Sequence, residues 1–404
     1  MNKEPGFLEK CFVIFGLTFF SGALGVQTPL GVPLIPSPLL TLTRYSVFLI
    51  SLIIICFNYK DSRLIASRDK LFWVFTSILF LSFIWSDLPI ETLKVNREIL
   101  YMTAFGLYFA IRFSLKQQVK LIANTFFLGA LFSVILALIL PEIAIHGADH
   151  PGAWRGVYDY KNTLGSMMII GSLAFFFLPV SNFIDKFYKW IGIFLLFTLV
   201  LLCTSKTSLV IYFLIILILG FYRKFRWRGK ISVVFLDIGI LILSTVGTLV
   251  ISQWVTLLTS LGKDPTMTGR TILWSSALLK LQTRPLLGFG HSAFWLPQLS
   301  NAREVGFSVG TGFVAPHAHN GFIDVALDVG FIGAALFLIV YCRTFFRSLR
   351  FAYAAKKPEI LFPMAFLIFL TMNNMTESYM LRLANIYWIL FITTNFTLLK
   401  RETD

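Results

Sequence analysis

Residues 319–341 read HNGFIDVALDVGFIGAALFLIVY: a His-Asn pair, an apolar run broken by Asp324 and Asp328, then an uninterrupted apolar stretch. The run is about as long as a helix must be to cross the hydrocarbon core of a bilayer. Working outward, comparable stretches lie at about 11–28, 39–57, 71–86, 98–112, 119–140, 163–180, 188–203, 207–222, 231–252, 360–376 and 383–399, giving roughly twelve helices. Hydrophobic residues make up 57% of the 404 positions and charged residues 14%. A soluble domain of this size cannot hide so much apolar surface. Glycine, proline and aromatic residues are scattered through the runs, as membrane helices tolerate. The expectation is an all-α polytopic membrane protein, a single integral domain over residues 1–404 with no soluble domain or internal repeat.

The net charge of +15 invites a nucleic-acid reading, but the charge follows topology. With the N-terminus inside, the inner segments hold 23 Lys and Arg, the outer segments 11, and Arg44 lies within the second span. Short inner loops such as 223–230 are dense in charge, whereas the long outer loop 253–318 carries only five Lys and Arg. This is the positive-inside bias, and it puts both termini in the cytoplasm. Residues 1–25 resemble a signal peptide and are expected to stay as the first helix. Cys11, Cys56, Cys203 and Cys342 lie far apart, with no metal or redox spacing.

The outer face gathers the chemistry. Loop 253–318 is long for a compact protein. Within it, Gly269 is a plausible helix start, and Ile272, Leu273, Ala277 and Leu281 have amphipathic spacing. A short helix lying on the membrane surface is expected, followed by the turn Arg284-Pro285-Leu286-Leu287-Gly288-Phe289-Gly290. Lys206 sits between two apolar spans in Cys203-Thr204-Ser205-Lys206-Thr207-Ser208, either snorkelling to water or holding a phosphate. Arg155 and Lys161, in Trp154-Arg155-Gly156-Val157-Tyr158-Asp159-Tyr160-Lys161-Asn162, either form an interfacial girdle or a wall for sugar hydroxyls and anions. His319 is either an ordinary polar residue at a helix start or a functional one. Asn320 beside it can cap that helix. Gly330 and Gly333 fall within roughly 20° and 40° of the His319 face at about 100° per residue, a small-residue stripe on which another helix could pack. Asp324 and Asp328, on the opposite face, are either functional intramembrane carboxylates or paired with a polar neighbour.

These residues carry a resemblance. His319-Asn320, nine residues, Gly330, two residues and Gly333 resemble the signature of the O-antigen ligase and polymerase superfamily, bacterial membrane enzymes that move lipid-linked glycans. Gly269-Arg270 with Trp274, then Arg284 to Gly290, resemble that family's long periplasmic loop. Gly156, Lys161-Asn162 and Gly165 resemble a motif of its exopolysaccharide-polymerase branch. Ser205-Lys206 resembles the family's Ser-Arg turn, with Lys where an essential Arg is usual, which weakens bidentate phosphate binding. The resemblance covers roughly residues 70–390.

It implies a GT-C-like membrane glycosyltransferase of the bacterial inner membrane, with its active site in the periplasm. The donor would be a glycan on undecaprenyl diphosphate and the acceptor a sugar hydroxyl on a glycan or on lipid A–core. No cluster of Asp, Glu or His suited to a divalent ion is evident in the sequence. The transfer is therefore expected to be metal-independent and inverting, without a cofactor. Arg270 and Lys206, helped by Arg155 or Arg284, would hold the diphosphate, and His319 would be the general base. Lys161, Asn162, Asn320, Gly330 and Gly333 would bind glycan or support the site. Polymerisation of O-antigen or exopolysaccharide repeat units leads, ligation to lipid A–core is the alternative, and a transporter or flippase is the rival from another class. Charges near the midplane would favour transport, and one outward-facing cavity would favour an enzyme.

Overall fold

The computed structural model describes residues 4–28, 31–147, 150–225, 269–353, 355–381 and 385–401. They are helical, apart from loops and two isolated β-bridges, Gln27 with Pro33 and Ile145 with Trp154. Helix α1 (Phe7–Phe20) leads through a turn to α2 (Ser37–Phe57), a short α3 (Tyr59–Ala66), α4 (Lys70–Leu81) and a 3-10 turn (Ser82–Ile84). Then come α5 (Pro89–Arg112), α6 (Leu115–Ile139), a single turn α7 (Pro141–Ala144), α8 (Lys161–Phe176), α9 (Phe183–Leu202) and α10 (Lys206–Phe225). After the undescribed stretch come α11 (Arg270–Leu281), α12 (Ser300–Phe307), α13 (Gly321–Tyr353), α14 (Phe362–Asn374) and α15 (Ile386–Arg401). Every expected span except 231–252 carries a helix; that one, with loop residues 253–268, lies outside the described residues. Among the described residues, Ser37–Phe57, Leu115–Ile139 and Gly321–Tyr353 are long and apolar enough to cross a membrane.

Local chemistry sets the boundaries. Pro89 opens α5 where its missing N–H costs nothing. Asp69 caps α4 by accepting the Phe72 N–H. Ser114 and Gln117 form a reciprocal capping box that turns the chain tightly from α5 into α6. The mean hydropathy of +0.78 shows in the packing. One apolar core runs through the bundle, with α15 lying along α5 and α8 between α6 and α9. The outer surface is apolar too: of α2 only Val47 and Ser51 are buried, and Phe187, Trp190 and Phe194 of α9 point outward. A soluble protein does not present such a surface, and a multi-pass membrane protein does. Polar groups inside the bundle bond between helices: Gln118 with Thr397, Thr344 and Asp69 with Asn395, and Ser166 through Asn373 to Tyr387.

Segments 82–88, 150–160, 203–205, 269–320 and 375–381 are joined to one another or to adjoining helix ends by hydrogen bonds. Four contacts stitch these segments together. Trp85 Nε1 donates to the Leu287 carbonyl (2.8 Å), the Trp154 N–H to the Leu202 carbonyl (3.0 Å), and Asn162 Nδ2 to Glu377 (3.1 Å). His291 Nε2 lies 2.9 Å from the Leu381 carbonyl oxygen. Segment 269–318 builds its own small core here, from Leu273, Ala277, Leu281, Phe294 and Trp295 among others, seated on Ala326 and Leu327 of α13. The amphipathic helix is α11, starting at Gly269 (φ +82°). Its buried stripe is Leu273, Ala277 and Leu281, while Ile272, expected on that stripe, is exposed.

The reading of 319–341 as one smooth helix needs correction. Gly330 has φ +66° and ψ −172°, which breaks α13 into two segments. The segment 285–287 fills the break, with the Phe331 N–H donating to the Pro285 carbonyl (2.8 Å) and the Ile332 N–H to the Leu286 carbonyl (3.3 Å). A Cβ on Gly330 would lie 2.2 Å from the Leu286 oxygen. Gly330 therefore admits a turn of the long loop, not a neighbouring helix. A Cβ on Gly333 would meet Val329 of the preceding segment at 2.4 Å, so that glycine serves the same bend.

Candidate active site

Glu377 follows α14 in the turn 375–381, and its side chain is only 11% exposed. Three residues from distant parts of the chain reach it. Asn162 Nδ2 donates to Oε1 (3.1 Å), Arg270 Nη2 lies 3.5 Å from Oε1, and His319 Nδ1 lies 3.2 Å from Oε2. Arg270 also donates through Nη1 to the Thr376 carbonyl (2.6 Å), just past the C-terminal end of α14, where a cation is favoured. These contacts engage two of its five N–H groups. Burial raises the Glu377 pKa, but the hydrogen bond from His319 and the charges of His319, Arg270 and His317 outweigh it and hold the carboxyl below its ordinary value.

His319 adopts φ +51°, a left-handed conformation uncommon for a residue with a side chain. Its surroundings over-determine that conformation. The His319 N–H donates to His317 Nδ1 (3.1 Å), and the two imidazoles stand 4.1 Å apart. Trp274 Nε1 donates to the Ala318 carbonyl (2.7 Å). Asn320 caps α13 through Oδ1, which accepts the Phe322 and Ile323 N–H groups, while its own N–H donates to Ser378 Oγ (3.1 Å). Asp324, one of the two carboxylates read from the sequence, accepts from Trp295 Nε1 (2.7 Å) and the Ala318 N–H (3.2 Å). Asp328 accepts the Ser292 N–H (2.9 Å). Both hold the loop that delivers His319. With Nδ1 turned to Glu377, the network assigns the ring proton to Nδ1 and leaves Nε2 as the acceptor.

The remaining cations are distributed differently. Lys206, the first residue of α10, is exposed; Lys161 and Arg155 are half-buried beside it on the α8–α10 side. There Gly165 lets α8 approach the 203–208 turn so closely that a Cβ would lie 2.3 Å from Ser208 Oγ. Arg155 Nε donates to the Ile143 carbonyl (2.7 Å), and the Lys161 N–H to His146 Nε2 (3.3 Å). None of these three cations bonds to Glu377. Arg284 pairs with Asp87 (2.7 Å) and lies over the Phe289 ring, away from the residues joined at Glu377.

The fold brings together one group of side chains that the sequence did not reveal. His317, His319 and Glu377, whose ligand atoms lie within 4.8 Å of one another, could hold a divalent ion. Sequence reading missed it because His319 and Glu377 are 58 residues apart. Arg270 already supplies positive charge at the same carboxylate.

Residues 191–338 match the family model described as O-antigen ligase. The resemblance read from the motifs holds. The matched region takes in Lys206, Arg270, Arg284, His319, Gly330 and Gly333, and stops short of Glu377. The chain is also similar to the exopolysaccharide production protein ExoQ of Rhizobium meliloti (strain 1021), with 37% identity over 98 residues. That match spans 23% of this chain and 22% of the relative's length.

Proposed function

We propose that the protein transfers a glycan from an undecaprenyl-diphosphate-linked donor to a sugar hydroxyl at the periplasmic face of the inner membrane, with inversion and without a metal ion. The observation that carries this reading is the meeting of His319, Arg270 and Asn162 at Glu377, beside the ends of helices in an apolar bundle. His319 Nε2 takes the proton of the acceptor hydroxyl. That oxygen attacks the anomeric carbon as the bond to the diphosphate breaks, and the electron pair leaves with the lipid diphosphate. Glu377 holds the ring and stabilises the imidazolium that forms, an arrangement analogous to the orienting carboxylate of hydrolase triads. Arg270 neutralises charge developing on the diphosphate. Lys206 and Arg155 approach the same lipid diphosphate from the α8–α10 side, and Lys161 and Asn162 line the glycan path.

Polymerisation of O-antigen or exopolysaccharide repeat units is favoured by the likeness to an exopolysaccharide production protein and by the Gly156 to Gly165 motif. Ligation to lipid A–core is favoured by the description of the family model. A transporter would place its charges near the midplane, whereas Lys206, Arg270 and His319 each stand at or just beside a helix start. The deciding experiment supplies purified protein with lipid-linked oligosaccharide and sizes the products by gel, with and without chelator. A ladder that survives chelation supports the metal-independent polymerase. A single transfer to added lipid A–core makes the protein a ligase. Loss of transfer on chelation, restored by a divalent ion, assigns the metal role to His317, His319 and Glu377.

A further inference from the structure

A shallow, largely apolar cleft opens between the α4–α5 connection and the 284–288 turn, with polar groups on one wall. It measures about 440 Å³ and is lined by Trp85, Asp87, Arg284 and residues 285–288, with the Leu286 and Leu287 side chains exposed. Its walls are held in place. Trp85 Nε1 donates to the Leu287 carbonyl (2.8 Å), which fixes the indole, and Arg284 is clamped between Asp87 (2.7 Å) and the Phe289 ring. The Asp87 and Arg284 side chains are 33% and 41% exposed and both line the cleft, so a ligand there can reach them. The turn is rigid because it fills the break in α13 at Gly330, and a Cβ on Gly288 would lie 2.5 Å from the Leu327 oxygen.

An indole beside a carboxylate and a guanidinium is a sugar-recognising set. The ring's apolar face stacks on C–H bonds, and the paired charges donate to and accept from vicinal hydroxyls. A phosphate or an anionic headgroup fits less well, because Asp87 already neutralises Arg284 and would repel the anion. We propose that this cleft binds a neutral sugar ring of the glycan, as a subsite remote from the reacting bond. The first segment of α13 leads from His319 to the break at Gly330 where the 285–287 turn is seated. Its nine residues, 321–329, span about 13 Å, the reach of a short oligosaccharide. The cleft would thus hold the chain a few sugars from His319 and give the enzyme a grip on longer glycans. This assignment rests on the glycan-transfer reading. It also moves Arg284 from the diphosphate, where the sequence placed it, to the sugar chain.

The test is equilibrium binding of lipid-free oligosaccharides of one to four repeat units, released by mild acid from the source cell's polysaccharide, to the purified full chain. Ligand-observed NMR and titration supply the affinities. Wild type and His319→Ala should bind alike. Trp85→Ala and Asp87→Asn should each lose about tenfold or more in affinity, and Trp85→Phe, which keeps an aromatic face, should retain most of it. An unchanged thermal unfolding curve for Asp87→Asn would show that the loss is local. In the transfer assay, Trp85→Ala should shorten the product ladder and raise the KM for long acceptors more than for short ones. Unaltered oligosaccharide affinity in Trp85→Ala and Asp87→Asn would overturn the proposal. So would displacement by phosphatidylglycerol in nanodiscs with no oligosaccharide binding, which would make the cleft a lipid headgroup site. Absence of transfer by wild type with every acceptor would remove the proposed function and leave the binding result to be judged on its own.

Discussion

Exchanging Glu377 for Gln keeps the size of the side chain and removes the charge that His319 and Arg270 share. Glu377→Gln should slow transfer, but less than His319→Ala, for which about 10²–10⁴-fold is expected of a lost general base. The double variant should be little worse than His319→Ala alone, since the two residues act as one unit. Acid stability gives a second check. The Glu377 carboxyl is held below its ordinary value of 4.5, so its stabilisation is complete above that pH and lost as pH falls through the lowered value. The thermal midpoint of wild type should therefore drop in that acid range, and Glu377→Gln should lack that part of the drop. At Arg270, two N–H groups are already fixed to Glu377 and Thr376, so Arg270→Lys should fail to restore the activity lost in Arg270→Ala. His319, Asn320 and Arg270 could be picked out from the sequence because each sits in a distinctive local pattern at a helix start. Glu377 stands in an equally visible polar turn between apolar runs, yet its importance comes from contacts with residues 162, 270 and 319, which no local pattern reveals.

The bend in α13 sets the limit of what periodicity can read. Gly330 and Gly333 lie in an unbroken apolar run, and a smooth helical face and a broken helix look the same there. Two facts separate them: the positive φ at Gly330 and the seating of 285–287 in the gap. Gly330→Ala should destabilise the protein by about 1–3 kcal/mol from backbone strain alone, with more from the clash at Leu286. Gly310→Ala, where nothing lies within 4 Å of the new Cβ, should leave the thermal midpoint unchanged. Equal midpoints for the two variants would refute the bend. By contrast, α11 was legible from Gly269 and a repeating apolar stripe, and only Ile272 proved to face outward.

At the scale of the molecule, the apolar runs located the helices well, because helix length and hydropathy are both written locally. Composition could not say that the 269–318 segment folds into a second small core on α13, since that core uses pairs such as Leu273 and Leu327. From the positive-inside count, the His319 end is expected to face outside. A cysteine placed at Lys280, in a chain whose four native cysteines are replaced, should react with a membrane-impermeant maleimide on intact cells. One placed at Lys116 should react only after lysis, and the reverse pattern would invert the topology. If His319, set by Glu377, is the base of a glycan transfer, single-turnover transfer from lipid-linked oligosaccharide by wild type and His319→Ala will show it. The rate should be lower by about 10²–10⁴ in the variant, with donor binding retained. An undiminished rate in His319→Ala would rule His319 out as the base.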